Sequence, residues 1–152
     1  METSILNLDH RTDPATKQIL QNVVKRKGKF DRFKLRHLIV VWATLAVTSI
    51  YLIYLYLTIG KTYSYSFAAM FSAFVKNPIN FYLLTLSVGL YGFMNLLKEK
   101  REKAEKEYHA LRCEIVDRSK DLWKKEDEWK NRHLVFEMMK KEYDINLFHE
   151  NK

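Results

Sequence analysis

The chain has few of the residues that break or staple a fold. Its 152 residues include one cysteine, two prolines and four glycines. A single cysteine, Cys113, excludes an internal disulfide and any cysteine-rich metal site. No Asn-x-Ser/Thr glycosylation acceptor occurs. Neither does a P-loop, a Rossmann glycine pattern, a nucleophile elbow or a His-Glu-x-x-His pair, so no familiar catalytic constellation is encoded. Two stretches lack aspartate, glutamate, lysine, arginine and histidine altogether: Leu38 to Ile59, 22 residues, and Ile79 to Leu97, 19 residues. That removes the raw material of an intramembrane proton relay or ion site and counts against a pump or transporter. The segment between the stretches holds no acid, which counts against a cation channel. A cleaved leader is not expected either. The first apolar run starts only at residue 38, exceeds a signal core in length and lacks an A-x-A exit.

What remains is two membrane-length runs. A helix rising about 1.5 Å per residue covers roughly 33 Å and 28 Å over them, against about 30 Å for a bilayer's hydrocarbon core. Backbone groups in lipid must bond within the segment, so each span is expected to be helical. The flanking segments of 37, 19 and 55 residues are each too short for an ordinary globular domain with its own core. The expected fold is therefore an all-α membrane protein, a two-helix transmembrane hairpin with an N-terminal amphipathic helix and a long C-terminal cytoplasmic helix.

Charge orients the hairpin. Residues 1–37 carry nine basic and four acidic side chains, and residues 98–152 fifteen and fourteen, within a formal net charge of +8. The excess is juxtamembrane, so it is not read as nucleic-acid binding despite the basic balance. Lys25, Arg26, Lys27, Lys29, Arg32, Lys34 and Arg36 crowd the entry to the first span; Lys98, Lys100, Arg101, Lys103 and Lys106 crowd the exit of the second. Only Lys61 and Lys76 lie between. The positive-inside bias puts both termini in the cytoplasm and the loop outside, with the basic collar on anionic lipid at the inner face. Trp42, Tyr54, Tyr56, Phe81 and Tyr82 fit interfacial anchoring.

Six segments follow. Residues 1–12 are expected to be flexible. Residues 13–37 form a basic amphipathic helix that starts with Pro14 in its first turn, carries Ile19, Val23, Phe30 and Phe33 along one side, and is weakened at Gly28. It lies on lipid or packs against another cytoplasmic helix. Residues 38–59 and 79–97 are the spans. Residues 60–78 form an extracytoplasmic loop in which Phe67, Met70, Phe71 and Phe74, at i, i+3, i+4 and i+7, predict a short helix closed by Asn77-Pro78. It is either interfacial or a re-entrant pore helix.

Residues 98–152 form a charged, coiled-coil-like helical tail. Tyr108, Ile115, Leu122, Trp129, Phe136 and Tyr143 recur every seven residues as an apolar ridge. The companion column, Ala104, Leu111, Arg118, Lys125, Arg132 and Met139, is basic in its middle. Glu114–Arg118, Asp121–Lys125 and Glu128–Arg132 are acid-then-base pairs four apart, each adding roughly 0.2–0.5 kcal/mol to a helix. The ridge could seat a second copy, the N-terminal helix or another protein. His109 and Cys113 could share a metal only with Glu105 as a third ligand; no metal and no cofactor is expected.

The stretch Lys29-Phe30-Asp31-Arg32-Phe33-Lys34, followed by the hairpin and a charged helical tail of this length, resembles the YpbF family of small two-span membrane proteins of Firmicutes, a domain of unknown function. The resemblance implies a bacterial plasma membrane and supplies no activity and no catalytic residues. The expected role is a non-enzymatic scaffold that displays cytoplasmic helices for self-association or recruitment of a cytoplasmic protein. The alternative is a homo-oligomeric pore or holin-like protein.

Overall fold

A computed structural model describes Ile5, Leu8 and residues 12–148, and among them every regular element is helical. Helix α1 runs Pro14–Leu55. Pro14 sits where its missing N–H is no loss, and the Asp13 carbonyl accepts from the Lys17 N–H at 3.0 Å. The coil continues through a π-turn, Tyr56–Gly60, and a last short helix, Lys61–Tyr63. Helix α2, Phe67–Lys76, is capped by the Ser66 hydroxyl, which accepts from the Ala69 N–H at 3.5 Å. It stops because Asn77 precedes a proline and is held extended, at φ −104° and ψ 106°. Helix α3 is Pro78–Asp117, α4 is Ser119–Leu122 and α5 is Glu126–Tyr143.

Gly28 does not interrupt α1. It is exposed, and a Cβ there would meet nothing within 4 Å. Gly28→Ala should therefore stabilise the helix by about 0.5–1 kcal/mol, read as a higher urea midpoint for the purified protein in micelles.

The chain divides into two compact units. One takes the residues up to Arg32 together with those from Arg101 onward; the other is Phe33–Lys100. In the first unit, α1 runs antiparallel to α3. Thr16 donates to the Leu122 carbonyl at 3.1 Å at one end, and Phe30 stacks on Tyr108, centroids 6.2 Å apart, at the other. Helix α5 completes a three-helix bundle around Leu20, Val23, Ile115, Trp123, Phe136 and Met139, all buried. Two segments too short to form a core alone thus pool their apolar residues. Ile5 is fully buried in that core and Leu8 packs against it; most of residues 1–12, the segment expected to be flexible, lie outside the described residues.

The single long tail helix is also corrected. Arg118 (φ −89°, ψ 14°) ends α3, and Trp123 (φ −122°, ψ 71°) and extended Lys125 separate α4 from α5. No glycine or proline stands there. The break is a tertiary effect: Thr16, at the start of α1, meets Leu122, so an unbroken helix would carry Trp129, Phe136 and Tyr143 past the end of the α1 wall, whereas the turn returns Phe136 to the shared core and buries Trp123. Local charge helps, since Glu126, Asp127 and Glu128 occupy the first turn of α5, where the helix dipole favours anions. At its other end Asp144 adopts the left-handed conformation (φ 55°, ψ 37°) and its N–H bonds to Lys140 at 3.2 Å. The Ile145 N–H reaches Met139 at 3.1 Å, and Ile145 itself is buried.

The second unit turns its apolar side chains outward. Trp42, Ile50, Tyr56, Val88 and Leu96 are all more than half exposed. Its hydroxyls are satisfied within their own helices: Thr44 donates to Val40 at 2.7 Å, Thr58 to Tyr54 at 2.7 Å and Ser87 to Leu83 at 2.9 Å. Two helices, Pro14–Tyr63 and Pro78–Asp117, contain stretches long and apolar enough to cross a membrane.

Candidate interaction surface

The ridge is largely covered within one chain. Tyr108, Ile115 and Phe136 are buried in the bundle core, while Leu122, Trp129 and Tyr143 are half-buried and pack against it. The wall they meet comes from α1, through Ile19, Leu20, Val23, Val24 and Phe30. Phe136 meets Trp123 and Phe148 in T-shaped contacts, with interplanar angles of 81° and 86° and centroids 5.4 Å apart in each case. Trp123, Val135, Ile145 and Leu147 are buried with the ridge although the seven-residue spacing does not select them. Met139 was visible only as the end of the companion column. Trp123 carried no signal, because it lies one position beyond Leu122 on a face that a continuous helix turns to solvent.

Outside the core, the charged columns are redistributed. Glu114 and Arg118 pair as expected, at 3.1 Å. Glu128, 7% exposed, instead turns to Lys125, at 3.4 Å to its ammonium. Arg132 lays its guanidinium 3.3 Å over the centre of the Trp129 ring, a cation–π contact that spreads charge over a half-buried aromatic.

The basic collar splits into two groups. Arg26 and Lys29 both hold the Glu107 carboxylate, Lys29 at 3.3 Å. Lys27 is largely covered: its ammonium pairs with Asp31 at 3.2 Å and Asp144 at 3.5 Å and sits 5.8 Å from the Phe30 and Tyr108 ring centres. Burial pulls the Lys27 ammonium down, but the hydrogen bond and charge of Asp31, with Asp144, outweigh it and raise its pKa above 10.5. Tyr108 is raised above 10.0, chiefly by burial. The Lys29 hydrogen bond, followed by the Lys29 and Arg26 charges, holds Glu107 below the usual 4.5. A depressed carboxylate stabilises the fold above its unfolded pKa, and that contribution is lost as pH falls through the folded value. Lys25, Arg32, Lys34 and Arg36 are exposed.

Along the outer side of α3 runs a groove of about 750 Å³ bordered by Glu105, His109, Arg112 and Cys113. His109 and Glu105 lie 4.0 Å apart. Among the described residues no group of three ligating side chains is placed to hold a metal ion.

The match to known sequences is full-length. The model of a family described as a protein of unknown function, DUF2663, covers residues 19–150, and the chain belongs to that family. It is 35% identical over 152 residues to the uncharacterized protein YpbF of Bacillus subtilis (strain 168), with all of both chains covered. No solved structure matches it.

Proposed function

We propose that this protein is a two-span hairpin of a bacterial plasma membrane, both termini cytoplasmic, whose two ends fold together into a non-enzymatic helical bundle that recruits a partner protein. The observation that carries this reading is the division of apolar surface. Phe33–Lys100 exposes Trp42, Ile50, Leu57 and Val88, a display that water would penalise. The flanking sequences instead hide theirs in a shared core. The ridge is covered by α1 of its own chain, which favours recruitment by the assembled bundle over a parallel homodimer seam. Exposed Lys25, Arg32, Lys34 and Arg36 supply charge for anionic headgroups.

Topology tests the reading. In a Cys113→Ser background, Ser64→Cys and Lys120→Cys place single thiols at exposed positions in the hairpin turn and in α4. An impermeant thiol reagent on intact cells should label the first variant and reach the second only after lysis. Labelling of Lys120→Cys in intact cells would sink the cytoplasmic bundle.

A further inference from the structure

The junction between α2 and α3 stands beside the uncharged first run, short of its end. The Asn77 side-chain amide donates to the Tyr54 hydroxyl at 3.2 Å, and the Tyr51 hydroxyl donates to the Asn80 carbonyl at 3.2 Å. Tyr54 precedes Ile59, the last residue of that run, by five positions, a rise of about 7.5 Å. The break at Asn77-Pro78 is therefore level with apolar helix.

Backbone groups at the break find partners within the chain, two of them from side chains. The Asn80 amide donates to the Phe74 carbonyl at 2.9 Å, and the Asn77 side-chain oxygen accepts from the Ile79 N–H at 3.1 Å. The Asn80 N–H bonds to the Asn77 carbonyl at 3.1 Å. Tyr51 is 5% exposed and Asn80 1%. Irregular backbone at membrane depth is tolerated only with such internal partners; in a watery loop, solvent would do the same work.

Helix α2 carries its large apolar side chains along one broad face, with Ser72 and Lys76 on the other side. Met70 and Phe74 turn toward Leu55, Tyr56 and Ile59, and Phe74 meets Phe81 edge-on at 5.4 Å. Phe67 and Phe71 border the same space yet stay exposed at 78% and 61%, with Val75 beside them at 47%. Water penalises so large an exposed apolar face, and none of the described residues covers it.

We infer that α2 is a lipid-facing half-helix, its Phe67, Phe71 and Val75 in contact with acyl chains of the leaflet at the hairpin's turn, so that residues 67–97 form one discontinuous membrane segment sealed by Tyr51, Tyr54, Asn77 and Asn80. The inference rests on the membrane reading and deepens it. The polar turn contracts to Lys61–Ser66. Lys76, at the break, extends its four-carbon stem along the apolar surface and keeps its ammonium at the headgroups.

The test is nitroxide scanning of the full chain in vesicles of phosphatidylcholine and phosphatidylglycerol, on the Cys113→Ser background. Labels go on Ala68→Cys, Phe71→Cys and Ser72→Cys in α2, on Val88→Cys inside the second span, and on Ser64→Cys and Lys120→Cys as watery references. Collision with oxygen is compared with collision with a water-soluble nickel chelate. The α2 labels should favour oxygen several-fold, as Val88→Cys does, whereas the reference labels favour the chelate. If Val88→Cys reads lipid while all three α2 labels read water, the half-helix is overturned and the membrane hairpin stands. If Val88→Cys also reads water, both fail. Three α2 positions keep the outcome independent of a single variant that disturbs packing.

Discussion

Trp123→Ala should cost the bundle about 3–5 kcal/mol, the range for truncating a large buried aromatic. Domain stabilities lie near 5–15 kcal/mol, so this one change consumes a large share. The indole is 2% exposed, in T-shaped contact with Phe136, and its loss opens a cavity where α3, α4 and α5 converge. Trp129→Ala should cost much less, about 1 kcal/mol, because that ring is half-buried and its main partner is the Arg132 guanidinium. Trp123→Phe should fall between. The Trp123 Nε1 donor has no hydrogen-bond partner among the described residues, so removing it strands nothing. Urea unfolding of the full chain in micelles, followed by near-ultraviolet dichroism, ranks the three. Equal costs for the two alanine variants would refute the placement of Trp123 at the centre.

On the proposed topology, Leu20→Asp should separate the N-terminal helix from the tail while leaving Phe33–Lys100 in the membrane. Leu20 is fully buried in the shared core. Truncating such a leucine costs about 2–5 kcal/mol, and the aspartate adds the expense of an unpaired charge in an apolar site. A loss of roughly 4 kcal/mol or more is expected. Brief proteolysis of inverted vesicles then cuts between Asp117 and Glu126 in the variant and spares the parent. This outcome separates two covers for the ridge. If the tail paired with a second copy instead, a charge at Leu20 would leave its protection unchanged.

Much of the local structure was legible because its causes are local. Pro14 marks a helix start, Asn77-Pro78 an end, and the four-residue recurrence from Phe67 to Phe74 a helix between them. The two long apolar helical stretches are legible for the same reason, since an uncharged run is written in order along the chain. The site was legible only in part. The seven-residue recurrence selected Tyr108, Ile115 and Phe136, which are buried, but also Trp129 and Tyr143, which are half-exposed, and it passed over Trp123 and Ile145. It assumes a straight helix, and the chain turns.

By itself, then, the sequence determined helicity, the two apolar lengths, the basic collar and an apolar ridge in need of cover. The tertiary structure decided what covers it. Leu20 and Val23 lie 92 or more positions before Ile115, a separation about which composition and periodicity are silent. Their contact depends on α3 running back alongside α1 within the bundle. Once that wall is present, burying Trp123 outweighs the few tenths of a kcal/mol per ion pair that favour a continuous helix, and the tail folds back at residues 118–125 without a glycine or proline to direct it.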